Sequence, residues 1–161
     1  MSNTQEFAGK VVVITGGARN IGRALALERA AAGAAVCINS RGSQVELASL
    51  VAEIKAAGGR AISHVGDVTD PAAVKQMVKA TVDAFGRIDI LVNGAVVHVV
   101  KPFVDITPEE WRKTIAVVLD GAFYCTQACI PEMLKAGGGT VINMGGAAGH
   151  LPLWRRAPTS A

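Results

Sequence analysis

Aromatic residues, cysteines and clustered charges are scarce in this chain of 161 residues. Its three cysteines show no CxxC or disulfide-scaffold spacing, which excludes a small disulfide-stabilised fold and predicts a reduced, cytoplasmic protein. No apolar run approaches the ~20 residues that span a bilayer, and the first ten residues lack the apolar core of a signal peptide. Because the 16 basic residues are scattered, we predict neither a nucleic-acid nor a membrane partner.

Small and apolar residues dominate instead, as is typical of strands that are buried on both faces. Strand and helix signals alternate along the chain. The predicted strands are Val11–Thr15, Ala35–Asn39, Ala61–Val65, Ile88–Val92 and Thr140–Met144. The predicted helices are Ile21–Ala32, Ser43–Ala57 with Ser43 as cap, Pro71–Phe85 with Asp70 as cap, and Thr107–Lys135 with a capping box. This order predicts a single three-layer α/β domain over residues 1–161, a Rossmann-like doubly wound parallel sheet of order 3-2-1-4-5.

A glycine-rich segment, Val11 to Arg23 (VVVITGGARNIGR), indicates which class of ligand the chain binds. A β-branched strand ends at Thr15-Gly16, a turn follows, and a helix begins at Ile21-Gly22. Such a turn exposes unpaired backbone N–H groups at the positive end of the helix dipole, where a pyrophosphate binds. The position of the turn between a strand and a helix favours dinucleotide binding over a plain tight turn.

The spacing of Thr15, Gly16 and Gly22 resembles the TGxxxGxG fingerprint of the short-chain dehydrogenase/reductase family, with Asn20 in place of the middle glycine. Asparagine tolerates left-handed backbone, so the turn is expected to form, although its side chain would crowd the pyrophosphate.

Other segments extend the resemblance over nearly the whole chain. Asp67-Val68 is similar to the family's adenine-contacting pair, and Asn93 and Ala95 match its Asn-Asn-Ala-Gly motif. Within the family, the chain resembles the NADP(H)-dependent carbonyl and 3-oxoacyl reductases. The cofactor-binding residues that the turn and the resemblance imply are Thr15, Gly16, Arg19, Asn20, Ile21, Gly22, Arg41, Asp67, Val68, Asn93 and Ala95.

The end of the second strand favours NADP(H) over NAD(H). An acid there would pair with a ribose 2′-hydroxyl and repel a 2′-phosphate, but this strand ends Asn39-Ser40-Arg41. Arg41, with Arg19 from the glycine turn, would suit a phosphate because guanidinium groups form paired, charge-assisted hydrogen bonds with its oxygens. The alternative is that both arginines are solvated surface residues.

The residues that perform the family's chemistry are absent from the matching positions. The family transfers a hydride between nicotinamide and a carbonyl or alcohol, using asparagine, serine, tyrosine and lysine. Val118 stands at the asparagine position, Gly146 at the serine and Thr159 at the tyrosine, and the lysine would lie beyond Ala161. We therefore assign no catalytic residue and expect activity to be weak or absent, as in a truncated or degenerate family member.

Two alternatives are considered: another residue could supply the missing acid or base, and the chain could have a non-catalytic function. The single tyrosine, Tyr124, is interpreted as a packing residue, and His98 and His150 as loop residues, although a histidine could serve as acid or base. The residues suggest no metal site. The alternative function is a non-catalytic nucleotide-sensing or interaction module.

The resemblance also leads to an expectation about whether copies of this chain associate with one another. Family members continue with further strands and a helix, which this sequence lacks, so the fifth strand and the helix Thr107–Lys135 would lose a neighbour. Exposed strand edges and apolar helix faces promote association. We therefore expect self-association through this helix. No element signal covers His150–Ala161, which is predicted to be a disordered tail.

Overall fold

The computed structural model describes residues 5–146 of the chain. Five strands form one parallel sheet: β1 (Val11–Ile14), β2 (Ala35–Ser40), β3 (Arg60–Val65), β4 (Ile90–Asn93) and β5 (Thr140–Asn143). Their order is β3-β2-β1-β4-β5, which confirms the predicted doubly wound sheet. The predicted tail, residues 150–161, lies outside the described residues, as do Thr159 and His150.

Helices cover both faces of the sheet. They are α1 (Asn20–Ala31), α2 (Gln44–Ala56), α3 (Pro71–Phe85), α4 (Pro108–Ile115) and α5 (Gly121–Lys135), with a 3₁₀ turn at Phe103–Asp105. A π-helical segment, Ala116–Asp120, joins α4 to α5. The predicted long helix from Thr107 to Lys135 is therefore one continuous helical segment, Pro108–Lys135, with a π-helical stretch in its middle.

Two of the three predicted helix caps are formed as expected. The Asp70 carboxylate accepts a hydrogen bond from the Ala72 amide at 2.8 Å. At the start of α4, Thr107 and Glu110 bond each other's backbone amides, which completes the capping box. Ser43 is the N-cap residue of α2, as predicted, but its side chain makes no capping hydrogen bond.

The core consists of two layers, one on each face of the sheet. Val12 and Ile14 of β1 pack with α1 and α2 on one face, whereas Val13 packs with α3 and α5 on the other. All four residues of β1 are buried, because a central parallel strand is covered on both sides. This packing fixes the carboxyl ends of β1, β4 and β5 beside one another.

A buried carboxylate, Asp89, ties the amino ends of three strands together. Its backbone pairs with Val11 and Thr140, and its side chain accepts hydrogen bonds from Lys10, Arg87 and the Val11 amide at 2.6–3.1 Å. Burial disfavours its charge, but the bonds from Arg87, Val11 and Lys10 outweigh that cost, so the pKa of Asp89 lies below its usual range. The prediction that β4 begins at Ile88 missed this polar residue, and the strand begins at Ile90.

The segment Pro108–Lys135 is long and apolar enough to cross a membrane, by length and composition alone. It is the single such helix within residues 5–146. The helix was predicted from the sequence, but a count of uninterrupted apolar residues alone did not identify the segment as a candidate span. Core helices of soluble proteins satisfy the same criteria.

Candidate functional site

The glycine turn after β1 brings three backbone segments into direct contact. Gly16 adopts a φ of +67°, and a Cβ on it would lie 2.5 Å from the carbonyl oxygen of Gly94. A Cβ on Gly22 would lie 2.5 Å from the oxygen of Gly16. Any side chain at either position would collide with backbone, so the turn requires glycine at both.

The amides of this turn face an open helix end. Arg19 is the N-cap of α1, and its backbone oxygen accepts the first intrahelical bond, from the Arg23 amide at 3.2 Å. The amides of Asn20, Ile21 and Gly22 precede that bond, so they have no intrahelical acceptor. The first turn carries no acidic side chain, and the Arg19 side chain does not cap it. This helix end is therefore suited to an anion.

Asn20 occupies the left-handed region with a φ of +49°, the only residue other than glycine to do so in the part of the chain that the structure describes. Asparagine replaces the family's middle glycine without preventing the turn. Ile21 beside it is exposed, an apolar side chain at the mouth of the cradle.

Thr15 joins the ends of β1 and β4. Its hydroxyl accepts hydrogen bonds from the amides of Gly94 at 3.1 Å and Ala95 at 3.3 Å, and donates to the Val92 oxygen at 3.4 Å. The side chain is buried. Thr15, one of the predicted cofactor-binding residues, therefore holds the backbone that follows β4. Its hydroxyl keeps Ala95, another predicted residue, beside the glycine turn.

At the end of β2, the structure brings two predicted residues together. A guanidinium nitrogen of Arg41 lies 3.8 Å from Oδ2 of Asp67, and Oδ1 of Asp67 accepts bonds from the amide and hydroxyl of Thr69 at 2.9 Å each. Arg41 is mostly exposed. The loop carrying Asp67 is held by Asn39, whose amide donates to the Gly66 oxygen at 3.0 Å. Val68 is buried against Gly121.

A cleft of about 470 Å³ opens at the carboxyl ends of β1, β4 and β5. Its floor is polar and its walls are apolar. The lining residues are Thr15, Val68, Asn93, Ala95, Val117, Val118, Leu119, Gly121, Ala122, Phe123, Thr126, Asn143, Met144 and Gly145. None of these described lining residues has an ionisable side chain.

The floor is organised around Asn93. Its Nδ2 donates to Thr126 at 3.2 Å and to Asn143 at 2.8 Å. Its Oδ1 is buried without a hydrogen-bond partner among the described residues. Sequence reasoning selected Asn93 but missed Thr126 and Asn143, because only the folded chain places one helix and a second strand end at the same point.

The structure shows what surrounds the positions at which the resembled family carries its acid and hydrogen-bond donor groups. Val118 lies in the π-helical segment and lines the cleft, so an apolar side chain stands where the family has an amide. Gly146 follows β5 directly, after Gly145 in the cleft wall. Tyr124 packs against the α3–α5 layer and the ring of Phe123, and His98 is exposed and not in the cleft lining.

The comparisons with known proteins agree with this geometry. A family model described as short chain dehydrogenase matches residues 10–161. The chain belongs to the short-chain dehydrogenase family. As a member of this family of oxidoreductases, it has the nucleotide-binding Rossmann fold of its relatives.

Curated relatives of this chain include two named enzymes. It is 39% identical to a 3-oxoacyl-[acyl-carrier-protein] reductase of Synechocystis sp. over 145 residues, which are 90% of this chain and 59% of the relative. It is 38% identical to an L-rhamnose 1-dehydrogenase (NAD(P)(+)) of Sphingomonas sp. over 83% of this chain and 53% of that one. The chain therefore spans just over half the length of these relatives.

Solved structures show the same fold. A putative short-chain alcohol dehydrogenase from Sinorhizobium meliloti superposes with a TM-score of 0.91 at 32% identity, over 98% of this chain and 62% of that one. An NAD+-bound xylitol dehydrogenase superposes with a TM-score of 0.90 at 30% identity, over 96% and 59%. Since one of these structures holds NAD+ and one relative is named for both cofactors, the family alone does not decide between NAD and NADP.

Proposed function

We propose that this chain binds NADP(H) along the carboxyl edge of its sheet. The observation that carries the proposal is the glycine turn at the start of α1, where Gly16 and Gly22 have no room for a side chain and the first amides of the helix have no intrahelical acceptor. A pyrophosphate fits such a cradle because it accepts hydrogen bonds from several amides and its charge is stabilised by the helix dipole.

The arrangement at the end of β2 supports the preference for NADP(H). No described acid terminates the strand, and Arg41 lies beside it with its guanidinium mostly in solvent. Its ion pair with Asp67 is long, at 3.8 Å, so a phosphate can compete for the guanidinium. Asp67 and Val68 would then lie along the adenine, and Asn93 and Ala95 towards the nicotinamide.

We further propose that turnover of a carbonyl or alcohol by this chain is weak or absent. A bound nicotinamide would supply or accept a hydride, but the partner carbonyl needs a positioned acid and an oxyanion donor. The described lining of the cleft offers hydroxyl and amide groups from Thr15, Asn93, Thr126 and Asn143 and nothing that titrates near neutral pH. An assay for NADPH consumption over a panel of carbonyl substrates tests this, and measurable turnover would contradict it.

Calorimetric titration with NADPH and NADH tests the cofactor proposal. Replacing Arg41→Ala should weaken NADPH binding by about 10- to 100-fold, the equivalent of one lost charge-assisted hydrogen bond, and leave NADH binding unchanged. The matched control is Arg112→Ala, which removes another exposed arginine with a 3.8 Å ion pair, on α4. Equal or absent binding of the two cofactors by the wild-type chain would refute the proposal.

Self-association through the helix Thr107–Lys135 is also proposed. Six large apolar side chains of this helix are exposed: Trp111, Val118, Leu119, Phe123, Ile130 and Leu134. Exposed apolar surface of this extent usually marks an interface. Light scattering coupled to gel filtration measures the mass in solution, and a monodisperse monomer at high concentration would contradict the proposal.

A reduced, cytoplasmic setting without nucleic-acid or membrane partners is proposed from the sequence pattern. All three cysteines, Cys37, Cys125 and Cys129, are unpaired and buried, as expected of a chain that does not use disulfides. Fractionation of cells that express the chain, followed by immunodetection, tests its location. Recovery in a membrane pellet would instead favour insertion of Pro108–Lys135.

A further inference from the structure

The loop of residues 66–70, which joins β3 to α3, is hydrogen-bonded to β2 at its first residue. The amide of Gly66 donates to the Ser40 oxygen at 3.1 Å. The side chain of Asn39 adds two bonds, because its Nδ2 donates to the Gly66 oxygen at 3.0 Å and to the His64 oxygen at 3.2 Å. These three bonds fix the backbone at the point where the chain leaves the sheet.

The two bonds from Asn39 require an amide. The residue is 3% exposed, so removing its side chain would leave two carbonyl oxygens without this buried donor. A serine hydroxyl has one hydrogen to donate and an ionised aspartate has none, whereas the amide nitrogen has two. Asn39 is also absent from the described lining of the cleft, so its amide holds backbone rather than forming part of the cleft wall.

Gly66 is also held by close packing. A Cβ on this residue would lie 2.6 Å from Cε1 of His64 and 3.3 Å from the Cβ of Ala73 on α3. The same residue is therefore fixed by hydrogen bonds to β2 and by contact with β3 and α3. Any side chain at this position would displace the loop or the imidazole ring.

The positions of the next two residues depend on Gly66. Oδ1 of Asp67 accepts bonds from the amide and hydroxyl of Thr69 at 2.9 Å each, so this turn is closed within the loop itself. Val68 is buried, and a Cβ on Gly121 would lie 2.7 Å from its Cγ2, so the Val68 side chain has little room to adjust. A change in the backbone at Gly66 would therefore alter the placement of both Asp67 and Val68.

We infer that Asn39 is a positioning residue for the adenine end of a bound dinucleotide. It sets where Asp67 and Val68 lie without touching the ligand, and the inference rests on the proposed dinucleotide site. The adenosine group is common to NADPH and NADH, so Asn39 supports the binding of both. Arg41 differs because it acts on the 2′-phosphate, which only NADPH carries.

Calorimetric titration of Asn39→Ala with AMP, NADH and NADPH tests the inference. The affinity for all three should fall by about 5- to 100-fold, the equivalent of two lost hydrogen bonds, whereas Arg41→Ala should weaken NADPH binding alone. Wild-type affinity of Asn39→Ala for AMP overturns the inference. A second variant, Gly66→Ala, displaces the same loop with Asn39 intact and should also weaken AMP binding, so the test stands even if Asn39→Ala does not fold.

The control is Thr81→Val, which removes another buried hydrogen bond to backbone, from Oγ1 of Thr81 to the Met77 oxygen at 2.8 Å. It should lower the melting temperature without changing the affinity for AMP, because both residues lie within α3 and outside the loop. Equal losses of AMP affinity in Asn39→Ala and Thr81→Val would show that general destabilisation explains both, and would overturn the inference.

Hydrogen exchange tests the loop without any ligand. In Asn39→Ala the amides of Gly66 and Thr69 should exchange faster than in the wild type, while those of β1 keep their protection. Unchanged exchange in the loop overturns the positioning role. If exchange changes as expected but the wild-type chain binds neither AMP nor NADPH, the dinucleotide assignment fails and the role of Asn39 in holding the loop stands.

Discussion

A methyl carbon on Gly16 would lie 2.5 Å from the carbonyl oxygen of Gly94, so the backbones after β1 and β4 pack against each other without side chains. The contact joins two residues that are far apart in the sequence, and it sets the position of the phosphate cradle relative to the cleft. Adding a single carbon atom at Gly16 would therefore disturb the site.

Gly16→Ala should abolish measurable NADPH binding and lower the melting temperature. The left-handed conformation costs an alanine about 1–2 kcal/mol, and overpacking against backbone adds about 1–3 kcal/mol. The control is Gly9→Ala, because Gly9 has a similar φ of +75° with nothing within 4 Å of a Cβ. If both variants lose the same stability in thermal melts, the collision with Gly94 contributes nothing.

Asn20→Gly should tighten NADPH binding by about 3- to 10-fold, because it removes a side chain from the cradle and keeps a residue suited to a φ of +49°. Asn20→Ala also removes the amide but is strained, so it should lower stability by about 1 kcal/mol. Calorimetry and chemical denaturation separate the two effects. Weaker binding by Asn20→Gly would mean that the asparagine amide itself contacts the ligand.

Asp89→Asn should lower the free energy of unfolding at pH 7 by about 1.5–3 kcal/mol, since the carboxylate accepts charge-assisted bonds from Arg87 and Lys10. The folded pKa lies below the unfolded one, so this stabilisation is full above the ordinary carboxyl pKa and is lost as the pH falls through the folded value.

Denaturation curves at several pH values between 7 and 3 would show a smaller acid-induced loss of stability for Asp89→Asn than for the wild type. The control is Asp83→Asn, whose ion pair with Lys79 is exposed and should be worth about 0.5 kcal/mol or less. An unchanged pH dependence in Asp89→Asn would show that the carboxylate does not stabilise the folded state.

The three thiols should resist a thiol-specific reagent at pH 8 until the chain unfolds. Burial raises the pKa of Cys37 to about 11 and the pKa of Cys125 and Cys129 to about 12. The reagent therefore cannot reach the thiols, and at pH 8 almost none of them is in the reactive thiolate form. The reagent should develop colour slowly with the native protein, and three thiols per chain should react once the protein is denatured. Val45→Cys, an exposed position, supplies the fast-reacting control. Rapid native labelling of the wild type would contradict the buried placement.

Most of the fold could be predicted from the sequence, because its signals are local. Buried β-branched runs, the Asp70 cap and the capping box at Thr107 each depend on a few neighbouring residues. The failures were also informative. Three local details were not predicted: the Ser43 side chain makes no capping hydrogen bond, a π-helical segment precedes Gly121, and β4 begins at Ile90 rather than Ile88.

The candidate site divides in the same way. The glycine turn, Arg41 and Asp67 were selected from motifs, whereas Thr126 and Asn143 were not, because their role depends on meeting Asn93. Association through the helix Thr107–Lys135 was predicted from the sequence, but only the coordinates place its residues Leu119 and Phe123 in the lining of the cleft.

By itself the sequence determined the alternation of strands and helices, the cradle at the start of α1 and the lack of titratable groups at the family's catalytic positions Val118 and Gly146. These follow from residue types at short spacing. Only the tertiary structure decided that Gly94 fits against Gly16, that Asp89 is buried and that the cleft is apolar-walled, because parallel strands join residues about 80 positions apart and no local pattern encodes which of them meet.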